Sequence, residues 1–208
     1  MNLNIYRNIQ NQIKPYSNTK LLVVTKKRDV ENIRYLMKLG QTLFGENKVQ
    51  EAELKFDDLR KYFDFELHFI GPLQSNKVKK ALQTFDVIQS IDRFKIVDEI
   101  LRHKDSNSRT KEFYIQVNIG SEQQKSGVPP EKLNDLYEYC NNNCLIIKGI
   151  MCIPPASHDP NIFFQEMLNL RNKINKNLLL SMGMSDDYEI ALKYETNLIR
   201  IGSLLFQN

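Results

Sequence analysis

Short apolar runs alternate with longer amphipathic runs along the chain, and this alternation limits the possible folds more than any other feature. Runs rich in β-favouring residues are typical of strands buried on both faces of a parallel sheet. Asp29 and Asp92 are predicted N-caps of the helices after the first and fourth strands. The predicted strands cover residues 21–25, 42–44, 67–70, 87–88, 113–119, 146–153, 178–180 and 198–201.

Eight parallel strands alternating with helices have one dominant closed arrangement, the (β/α)8 or TIM barrel. We therefore predict the α/β class and a TIM barrel, with an open doubly wound sheet as the alternative. Ile5, Ile9 and Ile13 recur at helical spacing, which predicts an extra N-terminal helix. The sequence ends soon after the eighth strand, so the eighth outer helix is predicted to be missing or short. No linker or composition shift is present, and we expect residues 1–208 to form a single barrel domain.

Charge and cysteine content argue against several classes of function. The net charge is +4 and the basic residues are scattered. Lys77, Lys79 and Lys80 are best interpreted as a solvated helix face, because a nucleic-acid site needs a broader basic stripe. The three cysteines, an odd number without metal-ligand spacing, indicate neither a disulfide framework nor a metal site. No stretch resembles a signal peptide or a transmembrane helix, so we expect a cytoplasmic protein without nucleic-acid or membrane partners.

Two small polar turns follow the last two predicted strands. Residues 181–187 read Ser-Met-Gly-Met-Ser-Asp-Asp, and residues 200–203 read Arg-Ile-Gly-Ser. In a barrel of parallel strands, the late strands bring backbone N–H groups and hydroxyls to the C-terminal rim, where they bind phosphate. The turns therefore predict a phosphate site. Ser185 has an alternative interpretation as the cap of the last short helix.

Lys26 follows the first predicted strand and is a candidate nucleophile for a phosphorylated aldehyde. Period-two alternation places Leu22, Val24 and Lys26 on one side of the strand. If that side faces the interior, the amine points into the barrel mouth and loses solvation, which favours its neutral, nucleophilic form. The alternative is that Lys26, Lys27 and Arg28 form an exposed basic turn. Strand alternation alone slightly favours the exposed turn.

Polar residues stand at most of the other predicted strand ends, which is where barrel enzymes place their chemistry. Each of them has an equally good interpretation as a simple helix cap. The set comprises Lys26, Asn47, His68, Gln74 with Asn76, Ser90, Asn118, Ser185, and Gly202 with Ser203.

Several short motifs, in their order and spacing, resemble those of the pyridoxal phosphate homeostasis proteins, a single-domain family similar to the barrel domain of alanine racemase. The resemblance runs from about residue 21 to residue 206. Each motif alone is weak, but their combination is highly specific. The motifs are Val24-Thr25-Lys26, Phe44-Gly45-Glu46-Asn47, His68-Phe69-Ile70-Gly71-Pro72-Leu73-Gln74-Ser75-Asn76-Lys77, Val117-Asn118-Ile119, Gln124-Lys125-Ser126-Gly127, Gly149-Ile150-Met151, residues 181–187 and Arg200-Ile201-Gly202.

The resemblance implies a binding site for pyridoxal 5′-phosphate (PLP) and no metal site. It implies that Lys26 holds PLP as a Schiff base, which also favours Lys26 over Lys27. It places Asn47 beside the cofactor ring and Arg200 opposite the pyridine nitrogen. The implied cofactor-binding residues are Lys26, Asn47, Ser185, Arg200, Gly202 and Ser203.

The resemblance assigns the phosphate group to Ser185, Gly202 and Ser203. The family usually has Thr at the position of Ser203, and the hydroxyl retained here is expected to keep the phosphate site intact. The family also usually has Gly where this sequence has Gln207. The family's usual tail beyond this position is missing here, and we expect its absence to affect local stability more than cofactor binding.

The resemblance implies a monomeric cofactor carrier that serves intracellular PLP homeostasis, with no catalytic residues of its own. Arg200 stays protonated and can only donate, so the ring nitrogen would accept and remain a poor electron sink. Racemases with this arrangement add a second base from another domain, and we identify none here. The carrier would buffer PLP or deliver it to PLP-dependent apoenzymes. A low-efficiency PLP-dependent amino-acid racemase is the alternative.

Overall fold

A computed structural model of the protein describes residues 1–122 and 124–206. Its strands are parallel and hydrogen-bonded in sequence order, and pairing of the first strand with the last closes the barrel. The TIM barrel predicted from the sequence is therefore confirmed, and the open doubly wound alternative is wrong. Strands β1 to β8 are Lys20–Val24, Leu43–Glu46, Glu66–Phe69, Val87–Ile91, Glu112–Val117, Ile147–Cys152, Leu179–Ser181 and Leu198–Ile201.

Helices connect the strands on the outside of the barrel and bury one apolar face each. In α5, for example, Ile96, Val97 and Ile100 are fully buried. Burying an isoleucine side chain of this kind contributes about 1.5–3 kcal/mol. Helices α1 to α8 are Leu3–Ile13, Val30–Lys38, Val49–Phe56, Val78–Thr84, Phe94–His103, Leu133–Asn142, Pro160–Ile174 and Tyr188–Ala191.

The two chain ends meet at one end of the barrel. After β8 the described chain makes a single 3₁₀ turn, Ser203–Phe206. The backbone N–H of Asn2 donates to the carbonyl of Leu205 at 2.8 Å, and the Asn2 side chain caps α1 by accepting from Ile5 N. The extra N-terminal helix and the short eighth outer element are therefore both confirmed. Gln207 lies outside the described residues.

Strand register sets which side chains meet at the C-terminal rim. Leu22 of β1 pairs with Arg200 of β8, and Val24 pairs with Gly45 of β2. The loops that follow β8, β1 and β2 are therefore neighbours. This arrangement brings residues far apart in sequence to one side of the barrel mouth.

Of the two helix caps predicted from the sequence, Asp29 has the predicted position without a capping hydrogen bond, and Asp92 is wrong. Asp29 occupies the N-cap position of α2, but its side chain accepts no capping hydrogen bond. Helix α5 begins one residue later than expected, with Arg93 at the N-cap position. The Asp92 carboxylate instead accepts from the Arg93 guanidinium at 2.5 Å. A charged partner next to it outcompetes the helix amides.

No helix among residues 1–122 and 124–206 combines the length and apolar character needed to cross a membrane.

Candidate functional site

A cavity of about 400 Å³ opens at the C-terminal rim of the barrel. All six cofactor-binding residues predicted from the sequence line it. The structure thus brings together, from the ends of four strands, a free amine, a guanidinium, an amide side chain and two hydroxyls. The predicted residues in the lining are Lys26, Asn47, Ser185, Arg200, Gly202 and Ser203.

Lys26 lines the cavity, and its side chain stays accessible to solvent. The structure thus combines the two alternatives: the strand ends at Val24, so the Lys26 side chain is exposed beyond the buried section, and it nevertheless lines the cavity. The next residue, Lys27, adopts a left-handed φ of 58°, and its N–H donates to Glu51 Oε1 at 2.5 Å. This sharp turn separates the two lysines, and the cavity lining includes Lys26 but not Lys27.

A buried polar cluster fixes the chain just before Lys26. Thr25 is fully buried, and its hydroxyl donates to Glu46 Oε1 at 2.7 Å. Lys55 Nζ donates to the Thr25 carbonyl at 2.7 Å and to Glu46 Oε1 at 3.0 Å. Burial raises the pKa of the Glu46 carboxyl, although Thr25 and Lys55 oppose the rise. The second carboxyl oxygen has no hydrogen-bond partner among the described residues. The cluster holds the end of β1, and hence the backbone of Lys26, in one position.

The two polar turns predicted to bind phosphate are in direct contact. Ser203 Oγ donates to Ser185 Oγ at 2.9 Å, and Leu204 N approaches the same oxygen at 3.4 Å. Within the described part of the chain, the backbone N–H groups of Ser185 and Ser203 have no protein acceptor. Two backbone amides and the Ser185 hydroxyl proton are thus free at one end of the cavity, and the Ser203 hydroxyl can turn from Ser185 to a ligand. Such a group of donors suits a phosphate or another anion.

Ser185 is not the cap of the last short helix. Asp187 holds the N-cap position of α8, and its carboxylate accepts from Met184 N at 2.6 Å. The preceding turn depends on Gly183, which has a φ of 97° that favours glycine. The helix-cap alternative for Ser185 is therefore wrong, and its hydroxyl faces the turn after β8 instead.

Arg200 lies at the floor of the cavity and is only 3% exposed. Its Nη1 donates to Ser181 Oγ at 2.8 Å, and its Nη2 donates to the carbonyl of Cys152 at 2.6 Å. Burial lowers the pKa of the Arg200 guanidinium, yet arginine remains protonated at physiological pH. No other protein acceptor contacts this guanidinium within the described residues, so it can donate to a ligand.

Asn47 reaches the cavity because a glycine lies against its backbone. A Cβ on Gly71 would come within 2.3 Å of the Asn47 carbonyl oxygen and 2.8 Å of its Cα. Only glycine permits this approach between the loops after β2 and β3. On the other side of the mouth, a Cβ on Gly202 would meet the Val24 side chain and carbonyl at 3.0 Å.

Burial keeps the thiol nearest the site unreactive. Cys152 is fully buried, and burial raises the pKa of its thiol to about 12. A protonated, inaccessible thiol does not compete with Lys26 for an aldehyde.

Several polar residues considered from the sequence lie away from the cavity. His68 is buried inside the barrel, where its Nδ1 bonds to Gln89. Ser90 is also buried. The Asn118 amide nitrogen donates to the Glu122 carbonyl, and its amide oxygen accepts from the Glu122 N–H. These side chains organise the strands and loops rather than the mouth.

Sequence reasoning missed more than half of the cavity lining. The missed residues are mainly apolar residues and a glycine, which carry no chemical signal in a sequence. Asp186 is the exception, since a carboxylate directly after Ser185 could have been considered. The additional lining residues are Val24, Ile70, Gly71, Pro72, Ile153, Met184 and Asp186.

Comparison with known proteins defines the family. Residues 3–208 match the family described as "Alanine racemase, N-terminal domain". A protein of Aquifex aeolicus named "Pyridoxal phosphate homeostasis protein" is 39% identical over 197 residues, covering 90% of this chain and 86% of the relative. The chain belongs to the pyridoxal phosphate homeostasis protein family.

A second member of the pyridoxal phosphate homeostasis protein family, from Pasteurella multocida, is 37% identical over 214 residues and covers 98% of this chain and 92% of its own. Among solved structures, PipY of Synechococcus elongatus with PLP bound superposes with a TM-score of 0.85 at 29% identity. The match covers 97% of this chain and 98% of PipY.

Proposed function

We propose that this chain binds PLP in the barrel-mouth cavity and serves PLP homeostasis as a carrier that buffers or delivers the cofactor. The observation that carries the proposal is the convergence of Lys26, Arg200 and the Ser185–Ser203 pair on one cavity. The names of the relatives and the bound PLP of PipY support the same ligand.

The residues fit each part of PLP. The amides and hydroxyls of Ser185 and Ser203 suit the phosphate, with Gly202 leaving room beside Val24. Arg200 donates, and a pyridine nitrogen accepts. In the proposal Asn47 lies beside the ring.

Lys26 supplies the covalent link. The neutral amine adds to the aldehyde carbon of PLP, a C=N bond forms, and the aldehyde oxygen leaves as water. The result is a reversible Schiff base, which suits a carrier because hydrolysis returns the free aldehyde. Solvent access to Lys26 supplies the water for that release.

The Arg200 guanidinium favours carriage over catalysis. It can only donate, so a ring nitrogen opposite it stays unprotonated and withdraws electrons weakly. Carbanion chemistry on an amino acid is then poorly supported. In this proposal the carrier has no catalytic residues, and a low-efficiency racemase is the competing outcome of the test.

We also propose the domain organisation, oligomeric state, location and recipients of the carrier. Residues 1–208 form one PLP-binding domain that is monomeric and cytoplasmic, with PLP-dependent apoenzymes as recipients. Sedimentation of the loaded protein measures its mass, and incubation with an apoenzyme measures transfer as recovered activity. A dimeric mass or no transfer beyond that from free PLP would contradict these points.

The decisive experiment compares two adjacent lysines. The protein is mixed with PLP, its absorbance spectrum is recorded, and borohydride reduction is followed by peptide mass spectrometry. We expect a visible band and a pyridoxyl mass on Lys26, lost in Lys26→Ala and retained in the matched Lys27→Ala. A colourless wild type, or label on Lys27, would refute the site. Lys26-dependent racemisation across a panel of amino acids would favour the racemase.

A further inference from the structure

A continuous row of side-chain hydrogen bonds crosses the interior of the barrel beneath the cavity. Arg200 Nη1 contacts Ser181 Oγ at 2.8 Å, and Ser181 Oγ contacts Gln89 Oε1 at 2.7 Å. Gln89 Nε2 contacts His68 Nδ1 at 2.7 Å, and His68 Nε2 contacts Glu66 Oε1 at 2.6 Å. The row runs from β8 and β7 on one side of the barrel to β4 and β3 on the other.

The two charged ends fix the direction of every bond in this row. The Arg200 guanidinium can only donate, so the Ser181 hydroxyl accepts from it and gives its own proton to Gln89. The Gln89 amide nitrogen then donates to His68 Nδ1. The Nε2–H of His68 donates to the Glu66 carboxylate, and that bond lowers the pKa of the Glu66 carboxyl.

Reversal of the row is unfavourable. With the Gln89 amide turned over, its nitrogen would face the Ser181 hydroxyl, and His68 would have to donate from Nδ1. His68 Nε2 would then need a donor where the Glu66 carboxylate offers only acceptors. A doubly protonated His68 would need the same turned-over amide, which leaves Ser181 Oγ facing two donors and its own proton without the Gln89 acceptor. The direction in which every group is paired is the one with Nδ1 of His68 accepting and its proton on Nε2.

The row is buried along nearly its whole length. Ser181 and Gln89 are fully buried and His68 is 1% exposed, whereas the Glu66 side chain is 44% exposed. Glu66 begins β3, at the end of the barrel opposite the cavity. In a low-dielectric interior such bonds polarise one another, and a broken link leaves an unsatisfied polar group.

We propose that Gln89, with Ser181 and His68, is a positioning residue that holds the Arg200 guanidinium at the cavity floor and links it to Glu66 at the far end. None of the three intermediates lines the cavity. They act through Arg200. The consequence for PLP rests on the function proposed above, while the row itself is a property of the free protein.

The first test needs neither ligand nor substitution of the row. Long-range ¹H–¹⁵N correlation of the free protein reports which nitrogen of each histidine carries a proton. We expect His68 with a bare Nδ1 and a protonated Nε2. The signals of the half-buried His103 and the exposed His158 are identified by substituting each with Gln. A proton on Nδ1 of His68, or averaging between its nitrogens, would overturn the proposal.

The second test breaks the middle link. Gln89→Met keeps the length of the side chain and removes both polar groups. We expect the separate Nη signals of Arg200 to average in the free protein and the PLP dissociation constant to rise roughly tenfold. The dissociation constant for inorganic phosphate should stay unchanged, because the phosphate turns lie outside the row.

Gln89→Glu tests the role of the acceptor. Its carboxylate still accepts from Ser181, so PLP affinity should return toward that of the wild type. The same carboxylate faces His68 Nδ1, which should gain a proton detectable by NMR. The Nδ1 proton shows that the new carboxylate contacts His68, and the recovery of PLP affinity is the result that a merely structural role for Gln89 does not predict.

The matched control is Gln41→Met. Gln41 is also buried, and its amide nitrogen donates to the carbonyls of Leu21 and Leu43 at 2.8 Å, away from the cavity. It should lower stability without altering the Arg200 signals or PLP affinity. Should Gln89→Met fail to fold, Ser181→Ala breaks the neighbouring link and carries the same measurements.

The outcomes separate this proposal from the proposed function. A wild type that shows the His68 tautomer and fixed Arg200 signals but binds no PLP would refute PLP binding alone. A wild type that binds PLP, with Gln89→Met leaving both the Arg200 signals and PLP affinity unchanged, would refute the positioning role alone.

Discussion

Ser203 Oγ donates to Ser185 Oγ at 2.9 Å, which joins the turn after β7 to the turn after β8 across the barrel mouth. The two hydroxyls lie next to backbone amides that have no protein acceptor in the described chain. An anion placed between the turns can therefore collect donors from both without rearranging the backbone. The same pair makes the phosphate site separable from Lys26 and Arg200 by substitution.

Ser185→Ala removes the oxygen that connects these turns. We expect PLP binding to weaken by about 1–3 kcal/mol, the loss typical of a hydrogen bond to a charged group. This corresponds to roughly a 5- to 150-fold rise in the dissociation constant. Titration by absorbance measures it, and competition by inorganic phosphate should weaken in parallel. The Schiff base on Lys26 should still form at high PLP concentration.

Ser106→Ala is the control for Ser185→Ala, since Ser106 is exposed on a remote loop. Its affinity for PLP should equal that of the wild type. Equal affinity in Ser185→Ala as well would show that the hydroxyl serves only to join the two turns.

Arg200→Lys should separate ring binding from phosphate binding. A lysine ammonium cannot reproduce the planar guanidinium that contacts Ser181 and the Cys152 carbonyl together. We expect weaker PLP binding, an altered absorbance maximum and an unchanged dissociation constant for inorganic phosphate. Calorimetric titration with both ligands makes the comparison. Equal weakening for both ligands would mean that Arg200 supports the whole rim rather than the ring.

Gly71→Ala should distort the site through the backbone of Asn47. The added Cβ would lie 2.3 Å from the Asn47 carbonyl oxygen, a backbone atom, so the clash can be relieved only by moving the backbone. We expect a loss of about 1–3 kcal/mol in unfolding free energy together with weaker PLP binding. Urea unfolding and absorbance titration measure the two effects.

Gly40→Ala provides a matched glycine control. Gly40 has a φ of 91°, but a Cβ there would meet nothing within 4 Å. Its substitution should cost about 1 kcal/mol of stability through backbone strain and leave PLP affinity intact. Loss of affinity in both variants would point to general destabilisation instead of movement of Asn47.

The sequence predicted the barrel and the residues of the cavity for different reasons. Burial on both faces produces apolar runs, so the strands can be located from the sequence alone. The site residues were readable because parallel strands end at one rim, and family motifs then distinguished Lys26 from Lys27. What these residues bind stays a proposal.

The interior row of hydrogen bonds could not be predicted from the sequence in the same way. Gln89, Ser181 and Glu66 lie within or at the edge of strands, where a polar residue carries no sign of its partner across the barrel. His68 is recognisable in the sequence as a polar residue near a strand end and as the first residue of a family motif, but neither feature indicates its partner. Their contact depends on barrel closure and strand stagger, which a pattern of apolar residues does not encode. The pattern of apolar residues likewise does not predict that the Asp92 carboxylate binds the Arg93 guanidinium instead of capping α5.

The Glu46 carboxyl should make stability depend on pH. Burial raises its pKa in the folded protein above that in the unfolded chain, despite the nearby Lys55. The folded state therefore binds the proton more tightly, so the contribution of Glu46 is fully present below the unfolded pKa and is lost as pH rises through the folded one. Relative to Glu46→Gln, the wild type should lose unfolding free energy as the pH rises from the pKa of the unfolded chain through the raised pKa of the folded protein.

Urea unfolding of wild type and Glu46→Gln across that pH range measures this difference. The amide lacks the titration, so its constant cost from an unpaired N–H cancels when only the pH dependence is compared. Glu138→Gln, at an exposed carboxylate on α6, accounts for the general effect of removing one negative charge. If the difference between wild type and Glu46→Gln stays constant, the ion pair with Lys55 fully offsets burial, and the cluster beneath Lys26 is insensitive to pH.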